Sequence, residues 1–174
     1  MSAKQFSLLV RTYGRSCPSP EQLMKCCRNT SPEAMTTFVN DALAAQFTIF
    51  PRYLHKPIKK FRTVIIDFHK DCYYGTEDNP YVKKSKTYRS TTLSYECITA
   101  DLYCSKGIIT VAFLIRLSGA SVSKLAIKLM EPVENLLKPQ IVLFDGIFAT
   151  IKFLDFLSNK KIKFLGRKSK TPRV

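Results

Sequence analysis

The run Ile141-Val142-Leu143-Phe144 stops on Asp145, with Gly146-Ile147-Phe148 after it. A run of the same design lies upstream, where Val64-Ile65-Ile66 stops on Asp67. Short, continuous β-branched and apolar runs point to strands buried on both faces, because a half-exposed strand would alternate. An open α/β sheet builds its sites at the carboxyl ends of such strands. If the two strands are parallel neighbours, both carboxylates emerge at one sheet edge. They then repel, and a divalent cation relieves the repulsion. A hard cation such as Mg²⁺ is held by one or two carboxylates and waters. Taken singly, an aspartate at a strand end is more commonly a turn former or a helix cap.

The rest of the chain fits around those two runs. Residues 1–60 read as a small helical segment. Ser19-Pro20-Glu21-Gln22 and Ser31-Pro32-Glu33 each place a capping serine before a proline that opens a helix. After the second, Met35, Phe38, Val39, Ala42, Leu43 and Phe47 recur at helical spacing. Arg52, Lys56, Lys59, Lys60 and Arg62 make the connection between Pro51 and the first strand strongly basic. The second domain is expected over 61–174. It begins with a buried strand Thr63–Phe68 and a loop through Arg89. A hairpin of Thr91–Cys104 with Ile108–Leu117 follows, then a helix from Val122 that kinks or restarts at Pro132. The Asp145 strand, a helix through Leu154 and a last strand Lys161–Leu165 complete it. Strand, strand, strand, helix, strand, helix, strand predicts an α/β fold whose mixed sheet opens with an antiparallel meander.

Composition narrows the partners. The chain carries 28 Lys+Arg against 13 Asp+Glu, a formal charge of +15, which points to a polyanion and first of all to nucleic acid. No apolar run approaches the roughly 20 residues that span a bilayer, and the first residues show no signal-peptide pattern, so a cytoplasmic protein without membrane contact is expected. The 6 cysteines form no C-x-x-C, and no histidines stand at zinc-finger spacing. Free thiols are therefore expected.

Ile65-Ile66-Asp67-Phe68-His69 with Tyr73-Tyr74-Gly75, then Val142-Leu143-Phe144-Asp145-Gly146-Ile147-Phe148-Ala149, Phe153-Leu154-Asp155-Phe156-Leu157 and Ile162-Lys163-Phe164-Leu165, resemble the catalytic domain of insertion-sequence DDE transposases. The resemblance covers roughly residues 60–170 and implies an RNase H-like fold. It implies an enzyme dependent on Mg²⁺ or Mn²⁺ that cuts and rejoins DNA at insertion-sequence ends. In that family an Asp on the first strand, an Asp after the fourth and a Glu on a later helix hold the metal. Asp67 and Asp145 match the first two as catalytic and metal-binding residues. After Asp145 the only acid is Asp155, so the glutamate-bearing helix has no counterpart in this sequence. The resemblance then implies an amino-terminal part of such an enzyme, inactive alone, with apolar surface exposed beside the last strand.

Candidate DNA contacts are His69, on the same strand face as Asp67, the pair Tyr73 and Tyr74, which suit stacking, and Lys168 and Lys170 of the basic tail. Each also has an ordinary structural reading, as strand-end histidine, packing tyrosines and solvated lysines. Residues 1–60 suit a DNA-end-binding module, but they show no helix-turn-helix signature, and a homodimer contact or simple packing stays equally open for them. A non-catalytic DNA-binding or partner-binding remnant is the alternative function. A haloacid dehalogenase-like phosphotransferase is set aside, because its second Asp would stand where His69 does.

Overall fold

The structure is a computed structural model, and it describes residues 30–49, 62–104 and 107–167. The chain divides into two units, Met1–Met35 and Thr36–Val174. The cap expected at Ser19, the boundary expected at residue 60, and Lys168 and Lys170 all lie outside the described residues. The second cap is described. Ser31 Oγ accepts from Ala34 N at 3.2 Å, and helix α1 runs Pro32–Ile49. Phe38 of the expected apolar stripe stands 59% exposed. The polar Asn40 makes the specific contact instead: its Nδ2 donates to Phe113 O at 2.7 Å, and Phe113 N donates to its Oδ1 at 2.7 Å. One side-chain amide thus satisfies both backbone groups of a sheet-edge residue, as a neighbouring strand would.

The second unit is a mixed α/β structure. Its strands are β1 (Thr63–Tyr73), β2 (Val82–Tyr88), β3 (Thr91–Cys104), β4 (Gly107–Ile115), β5 (Ile141–Phe144) and β6 (Lys163–Gly166), with helices α2 (Val122–Leu137) and α3 (Ile151–Asn159). All six strands join one sheet. β3 is antiparallel to β1, β2 and β4, whereas β5 is parallel to β1 and β6 to β5. This is the antiparallel meander followed by parallel strands that the sequence predicts. β2 and β4 share one side of β3 end to end, with Val82 opposite Tyr95 and Ile115 opposite Cys97.

Both helices serve one face of the sheet. Val64 and Ile66 of β1, Ile98, Ala100 and Leu102 of β3, and Val142 and Phe144 of β5 are buried there with Leu129, Met130, Val133, Phe153 and Leu157 of the helices. Removing that apolar area from water is the main stabilising contribution to this unit. α2 does not break at Pro132. The exposed proline forgoes one backbone hydrogen bond, while Ala126, Leu129, Met130, Val133 and Leu137 hold the helix to the core on both sides of it.

Three strand assignments need correction. β1 runs on to Tyr73 rather than ending at Phe68, because β3 pairs with it through Tyr73↔Leu93. Beyond Ile66 the strand alternates, with Asp67, His69 and Asp71 exposed and Phe68, Lys70 and Cys72 half-buried. The stretch expected to be a loop up to Arg89 contains β2. The last strand is Lys163–Gly166, since Lys161 has φ 56° and belongs to the turn after α3. On β6, Phe164 is 40% and Leu165 70% exposed.

Candidate metal and nucleic-acid site

β1 and β5 place the two aspartates. The register pairs Thr63 with Ile141, Val64 with Val142, Ile65 with Leu143 and Ile66 with Phe144. Asp67 and Asp145 are the next residues on two parallel neighbours, and adjacent strands lie about 4.8 Å apart. β5 ends at Phe144, so β1 loses its parallel partner at Asp67. Each acid accepts from the amide that follows it. Phe68 N donates to Asp67 Oδ1 at 2.8 Å, and Gly146 N donates to Asp145 Oδ1 at 2.7 Å. At Asp145 that bond caps the 3₁₀ turn Gly146–Phe148.

Both acids open onto one depression of about 630 Å³, lined by Ile65, Ile66, Asp67, Leu143, Phe144, Asp145, Leu165, Gly166 and Arg167. β6 supplies its far wall. Arg167 N donates to Phe144 O at 3.1 Å, which places Arg167 among the residues that line the depression. Gly166 is required by close approach, because a Cβ there would run into the Phe144 ring.

The sheet face turned away from α2 and α3 carries Asp67, His69 and Asp71 on β1, with Asp101, Thr99 and Cys97 opposite or diagonal to them on β3. His69 Nε2 lies 3.8 Å from Asp67 Oδ2 and 3.0 Å from Thr99 Oγ1. Burial, and then the carboxylates of Asp71, Asp67 and Asp101, push the Cys97 thiol up to about 11. Cys72 and Cys97 are thiols rather than halves of a disulfide, in line with the expectation from sequence.

The expected DNA contacts are only partly brought together. His69 stands beside Asp67. Tyr73, at the end of β1, and Tyr74, just past it, lie six and seven residues beyond Asp67, roughly 20 Å away at the rise of an extended strand. There Tyr73 meets Tyr95 edge-on at 5.0 Å, and Tyr74, 72% exposed, donates from its hydroxyl to Arg89 O at 3.0 Å. Arg167, Thr99 and Asp101 were not among the residues singled out from sequence. The alternation Cys97, Thr99, Asp101 puts these three on one face of β3, but the register that sets Thr99 opposite Asp67 is not written in either strand alone.

Each acid keeps Oδ1 on an amide, and both line the same open depression. Two carboxylates with waters are a donor set of the kind that suits a hard cation. Among the described residues, no group of three or more His, Cys, Asp or Glu is arranged to hold a metal. Also among them, no helix is long and apolar enough to cross a membrane.

No family model matches the chain, and no curated protein shows significant similarity to it. Among solved structures, an intasome of simian T-cell lymphotropic virus in complex with PP2A regulatory subunit B56 gamma aligns at 13% identity. The alignment covers 61% of this chain and 34% of that one, with TM-score 0.38. The Mos1 strand transfer complex aligns at 14% identity over 97% of this chain and 51% of that one, with TM-score 0.39. The Mos1 mariner paired end complex with Mn aligns at 13% identity over 99% and 56%, with TM-score 0.39. This chain therefore spans between 34% and 56% of those chains' lengths.

Proposed function

We propose that this chain is a transposase-derived domain of the DDE type that binds DNA and holds Mg²⁺ or Mn²⁺ between Asp67 and Asp145. Its parent reaction is strand cleavage and strand transfer at insertion-sequence ends. One observation carries this reading: the two aspartates occupy the same level of adjacent parallel strands and face one depression with Arg167 at its rim. The formal charge of +15 supports DNA as the partner.

Each residue has a distinct part. Asp67 and Asp145 supply the carboxylate oxygens, held by the amides of Phe68 and Gly146. Arg167 offers a guanidinium to a phosphate entering the depression. A bound cation would polarise a phosphoryl oxygen and neutralise charge developing on it. Two carboxylates suffice to hold one such ion, but a paired-metal clamp on attacking and leaving oxygens needs more ligands. The two-acid set therefore also favours a second reading, a DNA-binding remnant that cuts nothing.

Titrating Mn²⁺ into the full chain and into Asp67→Asn and Asp145→Asn, alongside nicking of supercoiled plasmid, tests both readings. Wild type is expected to bind Mn²⁺ and each variant to lose that binding. Nicking that vanishes in both variants establishes residual catalysis. Salt-sensitive DNA binding with no Mn²⁺ binding by wild type removes the metal reading and leaves the remnant.

A further inference from the structure

His69 Nε2 lies 3.0 Å from Thr99 Oγ1, and Thr99 Oγ1 donates to Asp101 Oδ2 at 2.9 Å. The β1–β3 register builds this row, setting Asp67 opposite Thr99, His69 opposite Cys97 and Ile65 opposite Asp101. A hydroxyl has one proton to give, and a carboxylate accepts without giving. Thr99 spends its proton on Asp101, so its oxygen meets the imidazole only as an acceptor. The hydrogen between Thr99 and His69 therefore sits on Nε2, and in the neutral ring Nδ1 keeps its lone pair.

We infer that Thr99 and Asp101 are positioning residues that lock His69 with its hydrogen on Nε2 beside Asp67, and so hold the Asp67 carboxylate ready for a divalent cation. The last clause rests on the function proposed above, whereas the locked imidazole does not.

Asp67 is held by a hydrogen bond on one side and has the imidazole as its neighbour on the other. Its Oδ1 accepts from Phe68 N, and its Oδ2 is 3.8 Å from the hydrogen-bearing nitrogen of His69. Thr99 is only 9% exposed, so its hydroxyl depends on protein partners rather than on water. The Cys97 thiol, whose pKa Asp71, Asp67 and Asp101 all raise, places three carboxylates in electrostatic reach of one spot on this face. The Nε2 hydrogen is aimed at Thr99, so what His69 sets beside Asp67 in that field is a ring fixed in place, and groups that flank a metal ligand commonly set its orientation.

The chain has 2 histidines, His55 and His69, so long-range proton–nitrogen spectra of the ¹⁵N-labelled full chain resolve each ring, with His69→Gln assigning the signals. Wild-type His69 is expected as the Nε2–H form. Thr99→Val keeps the side-chain shape and removes the hydroxyl. It is expected to give mixed tautomers and to weaken Mn²⁺ binding roughly tenfold. Thr99→Ser is expected to restore both. An Nδ1–H form in wild type overturns the inference, and so does Thr99→Val with tautomer and Mn²⁺ affinity unchanged. Failure of Thr99→Ser to restore them assigns the loss to packing and overturns it too. A locked tautomer that Thr99→Val releases, in a chain that binds no Mn²⁺, upholds the locked imidazole and refutes both its purpose and the proposed metal site.

Discussion

Cys97 reports the chemistry of the polar sheet face at the resolution of one side chain. Its thiol ordinarily titrates near 9.0, and burial followed by Asp71, Asp67 and Asp101 raises it to about 11. Only the thiolate attacks an alkylating reagent, and a rise of that size leaves about a hundredfold less of it near pH 8. Iodoacetamide is expected to label Cys97 about a hundredfold more slowly in the folded chain than after denaturation, as followed by timed quenching and peptide mass spectrometry. The sign for stability is fixed by the same rise. A raised folded pKa contributes stability that is complete below pH 9 and is lost as pH rises toward about 11. Labelling as fast in the folded as in the unfolded chain would show that this face lacks the burial and field described. The placement of His69 beside Asp67 was legible in the sequence, because period-two alternation puts residues two apart on one face. The Thr99–Asp101 support was not, since it arises from a partner strand thirty residues on.

Among the elements, a break in pairing lies where β2 begins and β4 ends along the same side of β3. Glu96 sits at that junction, 5% exposed, and its Oε2 lies 3.0 Å from both Lys83 Nζ of β2 and Arg116 Nη1 just past β4. Arg116 also donates from its backbone amide to Glu96 O at 2.8 Å and lies over the Phe68 ring at 5.6 Å. Glu96→Ala leaves two largely buried cations unpaired and is expected to cost about 3–5 kcal/mol in urea unfolding. Backbone amides of β2 are expected to exchange first. A cost below about 1 kcal/mol would mean the cations find water instead. β2 itself was hidden from sequence reasoning for a specific reason. Arg89 and Ser90 take φ of 47° and 67°, the left-handed pair of a two-residue hairpin between Tyr88 and Thr91. That turn usually announces itself with Asn-Gly, and here it does not. The parallel strands β5 and β6 were legible, apart from a shift of two residues at the start of β6, because β5 is a short apolar run between helices and β6 carries Phe164 and Leu165 just after one.

For the molecule as a whole, a group of acids sits within a chain of strongly positive net charge. Asp67, Asp71, Asp101 and Asp145 gather on one sheet face and at one strand end, while the chain still carries a net +15. A polyanion is therefore attracted by the chain at large and repelled at the aspartates, unless a cation intervenes. Two consequences separate charge-driven binding from a site that uses the carboxylates. Without divalent ions, affinity for random-sequence duplex should fall steeply with salt, by about 0.9 in log–log slope for each phosphate contact, so several contacts give a slope steeper than about −4. In the same buffer, Asp67→Asn and Asp145→Asn should bind DNA as tightly as wild type or tighter, since each removes a negative charge from the approach. Adding Mn²⁺ should then strengthen binding by wild type and leave both variants unchanged, measured by fluorescence anisotropy at constant ionic strength. If Mn²⁺ acts equally on all three, its effect is screening of the DNA, and the aspartates take no part in recognition.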